Sequence, residues 1–342
     1  MGGRAPSSSE IDSHYRSRDY YGGSYYSSGS VYRSHSSLRS SEVEIPKRRI
    51  TSAEQIFKAL YMIDEFNPAK IKLPREACDS ALSPKSRGMI FAEDVTGSMG
   101  IFLLKLIQTQ YPRLFKAILN RYSFNPHIMF MGVGDVAAHD NAPLQVTQFE
   151  SDLRMLEQLE KIWLEKGGGR NPFESYILPW YFAGKYCKMD CFDKRGEKGF
   201  LFTFGDEEPT PYLTAYELKQ VFGDRKDLDT RTVTATDCLE MASEKFHCYH
   251  IILHGSNYHC CDMDKWNELL GGHACDLSDY DCLPELICAI IDMYEGCSKT
   301  DAIEKIEDSN ARYVVRNALM NHEQYVKDER VVSGQHGEIE IF

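Results

Sequence analysis

Four oxygen-bearing side chains in two short stretches are the residues best suited to chemistry in this chain. The stretch MIFAEDVTGSMG (89–100) sets Asp94, Thr96 and Ser98 on alternate positions after an apolar run, and FLFTFGDEE puts Asp206 at the end of another. Capping the next helix would need only one of the three oxygens. Two carboxylates, two hydroxyls and space for water make an all-oxygen donor set. That set suits Mg²⁺, a hard ion that takes six oxygens at roughly 2.0–2.1 Å and is usually held by one or two carboxylates. Alternate spacing lets Asp94, Thr96 and Ser98 face one ion, and Gly97 and Gly100 permit the tight turn between them.

For these groups to meet, the fold must bring Asp94 and Asp206 to one rim. Four apolar runs, GMIFAED, HIMFMGVGD, GFLFTFGDEE and FHCYHIILHG, are near-continuous and each ends in Gly, Asp or His. Such runs are strands buried on both faces of a mostly parallel sheet. Helical patterns separate them: Ile101 to Tyr122 with Pro112 starting a second helix, a run from Glu150 to Lys166, Tyr216 to Phe222, and Thr236 to Lys245. QVTQF (145–149) alternates and reads as an antiparallel edge strand, while LPELICAIIDMYEG and KTDAIEKIEDSNARYVVRNALM read as two C-terminal helices. The fold class is therefore α/β, an open sheet with helices on both faces. Ligands of such sheets bind beyond the carboxyl ends of the strands.

The motif DVTGSMG resembles the D-x-[ST]-x-S signature of von Willebrand factor type A domains, and FLFTFGDEE is similar to their fourth strand with its terminal Asp. The resemblance covers about residues 86–315. It implies a Rossmann-like fold with a mostly parallel central sheet, an antiparallel edge strand, and a metal-ion-dependent adhesion site on top. Asp94, Thr96 and Ser98 would be the first ligand group and Asp206 the distal carboxylate. The third element departs from the family, which offers a Thr after paired glycines. Here GGGRNPFESY sets Arg170 or Asn171 at that point, with Glu174 and Ser175 a turn later, so Asn171 would supply an amide oxygen and Glu174 a carboxylate. The loops further resemble a subgroup found in bacterial and phage proteins, which raises Asp135, Asp140 and Glu150 as acids near the rim, although for Asp135 and Asp140 turn residues of a solvated hairpin loop are the favoured reading.

By that resemblance the chain is a non-enzymatic scaffold or adaptor. A partner carboxylate would complete the shell of a bound Mg²⁺ or Mn²⁺, and relatives of this kind serve in larger assemblies, some beside AAA+ ATPases. The alternative is a metal-dependent enzyme that transfers or hydrolyses phosphoryl groups with Asp94 as nucleophile. Against it, a D-x-D-x-[TV] pattern needs an acid where Thr96 stands, and no G-x-S-x-G elbow occurs.

Composition limits the remaining classes. The chain of 342 residues carries a formal charge of −12, which argues against a nucleic-acid-binding body, since phosphate contacts need clustered Lys and Arg. Residues 1–45 are rich in Ser, Tyr, Gly and Arg and are expected to be a disordered tail, the one segment suited to RNA. Residues 46–85 are expected to form an extension beginning with a helix capped by Ser52, 86–315 the main domain and 316–342 a tail. No apolar stretch is long enough to cross a bilayer, and Pro6 stands where a myristoylation signal wants Ser or Thr. Eleven cysteines, an odd number without a signal-peptide pattern, suit a reduced, cytoplasmic setting. His247, His250, His254, His259, Cys260, Cys261, His273 and Cys275 gather zinc-ligand chemistry, but their spacing is irregular and ordinary core positions are the favoured reading.

Overall fold

The computed structural model describes residues 3–17, 50, 52–165, 172–253 and 261–322. Its centre is a six-stranded sheet built from β1 (Ser86–Asp94), β2 (Asn125–Val133), β3 (Leu144–Val146), β4 (Gly199–Gly205), β5 (Phe246–Leu253) and β6 (Ala274–Leu277). Their order is β6-β5-β4-β1-β2-β3, with all pairs parallel except β2 with β3. The chain thus builds outward from β1 to one edge, then returns to the other side of β1 for β4, β5 and β6. That reversal falls between β1 and β4, the kind of position at which ligands of open α/β sheets bind. The architecture is α/β and Rossmann-like, as the apolar runs predict.

Why the strands are central follows from their side chains. Every residue of β1 and β4 is buried. On one face Phe91 stacks against Phe202 at 5.7 Å and packs against Phe130 at 5.9 Å, so three adjacent strands share an aromatic row. Truncating such a ring to alanine costs about 3–5 kcal/mol. This face is covered by α2 (Gly100–Lys105), α3 (Tyr111–Arg121), α10 (Leu283–Tyr294) and α12 (Ser309–Ala318). A π-helical turn, Leu106–Gln110, joins α2 to α3 just before Pro112, whose missing N–H interrupts the helical ladder.

The opposite face carries Ile90, Ala92, Met129, Met131 and Leu201, and is covered by α5 (Ile177–Tyr186), α7 (Ala215–Phe222), α8 (Ala235–Ser243) and α9 (Met263–Leu270). Gly184 lets α5 lie against α8: a Cβ there would stand 2.6 Å from the Met241 carbonyl carbon.

Several segments differ from the sequence reading. Ser8–Ser17, placed in the expected disordered tail, forms helix α1. Ser7 and Glu10 make a reciprocal capping box, and Ile11 and Tyr15, four apart, bury one face beside α3. The rest of that tail, residues 1–2 and 18–45, lies outside the described residues, as do residues 46–49 of the extension. After Ser52 the expected helix is only a 3₁₀ turn, Ala53–Gln55; Ile56 and Phe57 are buried, but Leu60 and Tyr61 face solvent. The long helix expected from Glu150 shortens to α4, Arg154–Leu159. The C-terminal pattern divides into α11 (Lys299–Glu304) and α12, with Asp308 capping the latter. Because α12 crosses position 315 and His322 is buried, the packed body extends to at least His322. No helix among the described residues is long and apolar enough to cross a membrane.

Candidate metal centre

Asp94 is the last residue of β1 and its side chain lies on the α5 face of the sheet, where it is fully buried. The chain turns back on it at once: the Thr96 N–H donates to Asp94 Oδ1 at 2.8 Å and the Thr96 hydroxyl donates to the same oxygen at 2.6 Å. This is an Asx-type turn, and it accounts for the spacing of the first two oxygens. The other oxygen, Oδ2, accepts the hydroxyl of Tyr176 at 2.8 Å. Burial raises the Asp94 carboxyl to about 7, against the lowering effect of the Thr96 bonds; nearby Asp206 raises it further and the Tyr176 bond lowers it.

Asp206 follows β4 on the same rim. Its Oδ1 accepts the hydroxyl of Ser98 at 3.2 Å, which brings the β1 and β4 loops into contact. Burial pushes its carboxyl above the usual range. Glu174 belongs to the short strand Phe173–Glu174, which pairs with Glu208–Pro209 just beyond Asp206. Its Oε2 is buried with no hydrogen-bond partner among the described residues, and burial, then Asp94, Asp135, Asp140 and Glu207, push its carboxyl up to about 10. Glu207, missed by sequence reasoning, adds a second such oxygen, and its carboxyl too is raised, first by burial and then by Asp206 and Glu208.

The structure therefore groups five of the residues singled out from sequence, Asp94, Thr96, Ser98, Glu174 and Asp206. Asn171 lies outside the described residues, as do Gly167, Gly169 and Arg170. Asp135 and Asp140 act on Glu174 electrostatically but serve the turn after β2: Asp135 Oδ1 accepts the Ala137 N–H, and Asp140 Oδ2 accepts the Asp135 N–H. Glu150 is not at the rim. It bridges to Ile128 near the start of β2, at the other end of the sheet, and pairs with Arg154.

The His and Cys residues do not form one cluster. His250 faces α9, stacked on Trp266 at 3.6 Å with Nδ1 against the Thr203 hydroxyl. His247 stacks on Tyr294 at 3.6 Å on the opposite face, in a group where the Tyr249 hydroxyl is hydrogen-bonded to His322 Nε2 at 2.5 Å and the Tyr294 hydroxyl lies 3.5 Å from His273 Nε2. Cys275 is core, and Cys261 lies against the Glu207 carbonyl. His254, His259 and Cys260 lie outside the described residues.

Among the described residues no group of three or more His, Cys, Asp or Glu side chains is arranged to hold a metal ion. That holds for the rim acids Asp94, Glu174 and Asp206 as well; together with the Thr96 and Ser98 hydroxyls they are, in kind, the oxygen donors that suit a hard divalent cation. Two buried orphan oxygens, on Glu174 and Glu207, also fit a positive charge there. Among the described residues Lys265 pairs with Glu208 at 2.5 Å, beside this group rather than within it. No protein-family model and no curated protein sequence matches this chain.

Proposed function

We propose that this chain is a von Willebrand factor type A-like module that binds a protein partner through a Mg²⁺ or Mn²⁺ site at the β1–β4 switch point. The observation that carries the reading is the meeting of the two loops, Ser98 on Asp206, beside an Asp94 whose carboxylate is fixed by Thr96. The strand order with a single antiparallel edge supports it. Asp94, Ser98 and Asp206, with Thr96 and Glu174 beside them, are the residues that would hold the ion. When bound, the metal supplies an open coordination position that an acidic side chain of a partner fills. The protein's own part is to present the oxygens preassembled, so little ordering is needed on binding.

An adaptor role is favoured over Asp94-based hydrolysis because Thr96 stands where a D-x-D-x-[TV] phosphoryl-transfer pattern needs an acid to protonate the leaving group. Partners in an acidic-residue class, including AAA+ ATPase assemblies, belong to this proposal. Affinity capture with wild type and Asp94→Ala, each with Mg²⁺ or with EDTA, tests it. A partner retained only by wild type in Mg²⁺ is the expected result. Equal capture under all four conditions refutes the metal-bridged module.

A further inference from the structure

We propose that Tyr176 is a positioning residue of this centre, holding Asp94 in one carboxylate orientation, and that Gly205 is the position that admits it. The inference rests on the metal reading above. An Asp carboxylate turns readily about its last bond, because that torsion has broad wells. Here the turn is blocked from both sides. Thr96 takes Oδ1 with two donors, and the Tyr176 hydroxyl takes Oδ2. The two oxygens turn together about that bond, so the Tyr176 anchor adds to the restraint that Thr96 imposes.

Tyr176 itself is held rigidly. It is fully buried, and its ring packs on His250 at 4.8 Å and on Trp266 at 5.8 Å. Trp266 in turn donates its indole N–H to the Glu207 carbonyl at 3.2 Å, in the loop that carries Asp206. One aromatic block therefore reaches both acid-bearing loops, one through a phenol and the other through an indole. Gly205 makes the first of these contacts possible. A Cβ at that position would stand 1.9 Å from the Tyr176 hydroxyl oxygen and 2.3 Å from the ring carbon bearing it, so any side chain there displaces the hydroxyl from Asp94. Residues that orient metal-binding groups from behind typically change affinity by roughly 10–100-fold when altered.

The test is a Mn²⁺ titration followed by electron paramagnetic resonance on the full chain, comparing wild type, Tyr176→Phe, Gly205→Ala and Asp94→Ala. Each variant is also melted in EDTA. Tyr176→Phe keeps the ring and its packing, so it reports the hydroxyl even if Gly205→Ala fails to fold. The expected result is Mn²⁺ binding weakened roughly 10–100-fold in Tyr176→Phe, with an altered bound-ion spectrum and no binding in Asp94→Ala. If wild type and Tyr176→Phe bind with equal affinity and identical spectra while Asp94→Ala does not bind, the positioning role is overturned and the metal site stands. If wild type binds no Mn²⁺, the metal reading fails and this inference goes with it. A tyrosine that only supports the fold would lower the EDTA melting temperature and leave affinity unchanged.

Discussion

The hydroxyl of Ser98 donates to Oδ1 of Asp206 across 3.2 Å, although 108 positions separate the two in the chain. That bond joins the loops that follow the neighbouring strands β1 and β4, and two opposed demands meet on Asp206. Burial penalises its charge in the metal-free protein, whereas a cation would need that charge. Asp206→Asn is therefore expected to raise the urea midpoint in EDTA and to abolish the further rise that Mg²⁺ gives wild type. Chemical denaturation with and without Mg²⁺ checks both signs, and a variant that is less stable in EDTA yet still stabilised by Mg²⁺ contradicts the account.

The histidines at the far end of β5 make stability depend on acid. An unfolded histidine protonates near 6.5, while burial lowers His273 to about 4 and His322 to about 3. Between those values the unfolded chain binds more protons, so their contribution falls as pH drops from about 6.5 toward 3, by up to roughly 1.4 kcal/mol per pH unit for each group. Asp94 and Glu174, raised to about 7 and about 10, work in the opposite direction: the fold retains their protons where the unfolded chain has lost them, so acid favours the metal-free fold there. A difference measurement separates the two effects. His322→Gln, which can still accept the Tyr249 hydroxyl, is expected to show a shallower loss than wild type between pH 6.5 and 5 in EDTA. Parallel curves for the two proteins would mean that His322 is not a source of the slope.

Zinc is expected to be absent from the purified protein. His247 and His250 stand three apart on one strand and project to opposite faces, one onto Tyr294 and the other onto Trp266. Elemental analysis after purification without chelator should find far less than one zinc per chain. A full equivalent would require ligands from residues 254–260.

Helix α1 is expected to be part of the stable body. Ile11 is buried beside α3, and Lys116 forms an ion pair with Asp12. Ile11→Ala should cost about 2 kcal/mol, at the low end for a buried isoleucine because a terminal helix can undock by itself. Amide exchange over residues 8–17 measures it; rates that match an unstructured peptide in wild type would refute the packing.

The centre of the sheet was legible because β1, β2, β4 and β5 are apolar on both faces, a pattern that little else produces in short runs. Helix α5 was not. ILPWYFAGKY is apolar nearly all round, so it shows no amphipathic period, and Pro179 and Gly184 both read as breakers. Strand β6, only four residues long, offers no run to detect. At the rim, spacing marked Asp94, Thr96 and Ser98, and the strand end marked Asp206. Glu174 entered only through likeness to a family. Tyr176 carried no signal, because a tyrosine amid apolar residues looks like core and its partner is 82 positions away.

Because α1 is docked on α3 and the chain packs on the body again at Ala53, Ile56 and Phe57, the folded body draws on residues from both sides of the Ser- and Tyr-rich stretch, and a truncation that removes that stretch together with what precedes it also strips a helix from α3.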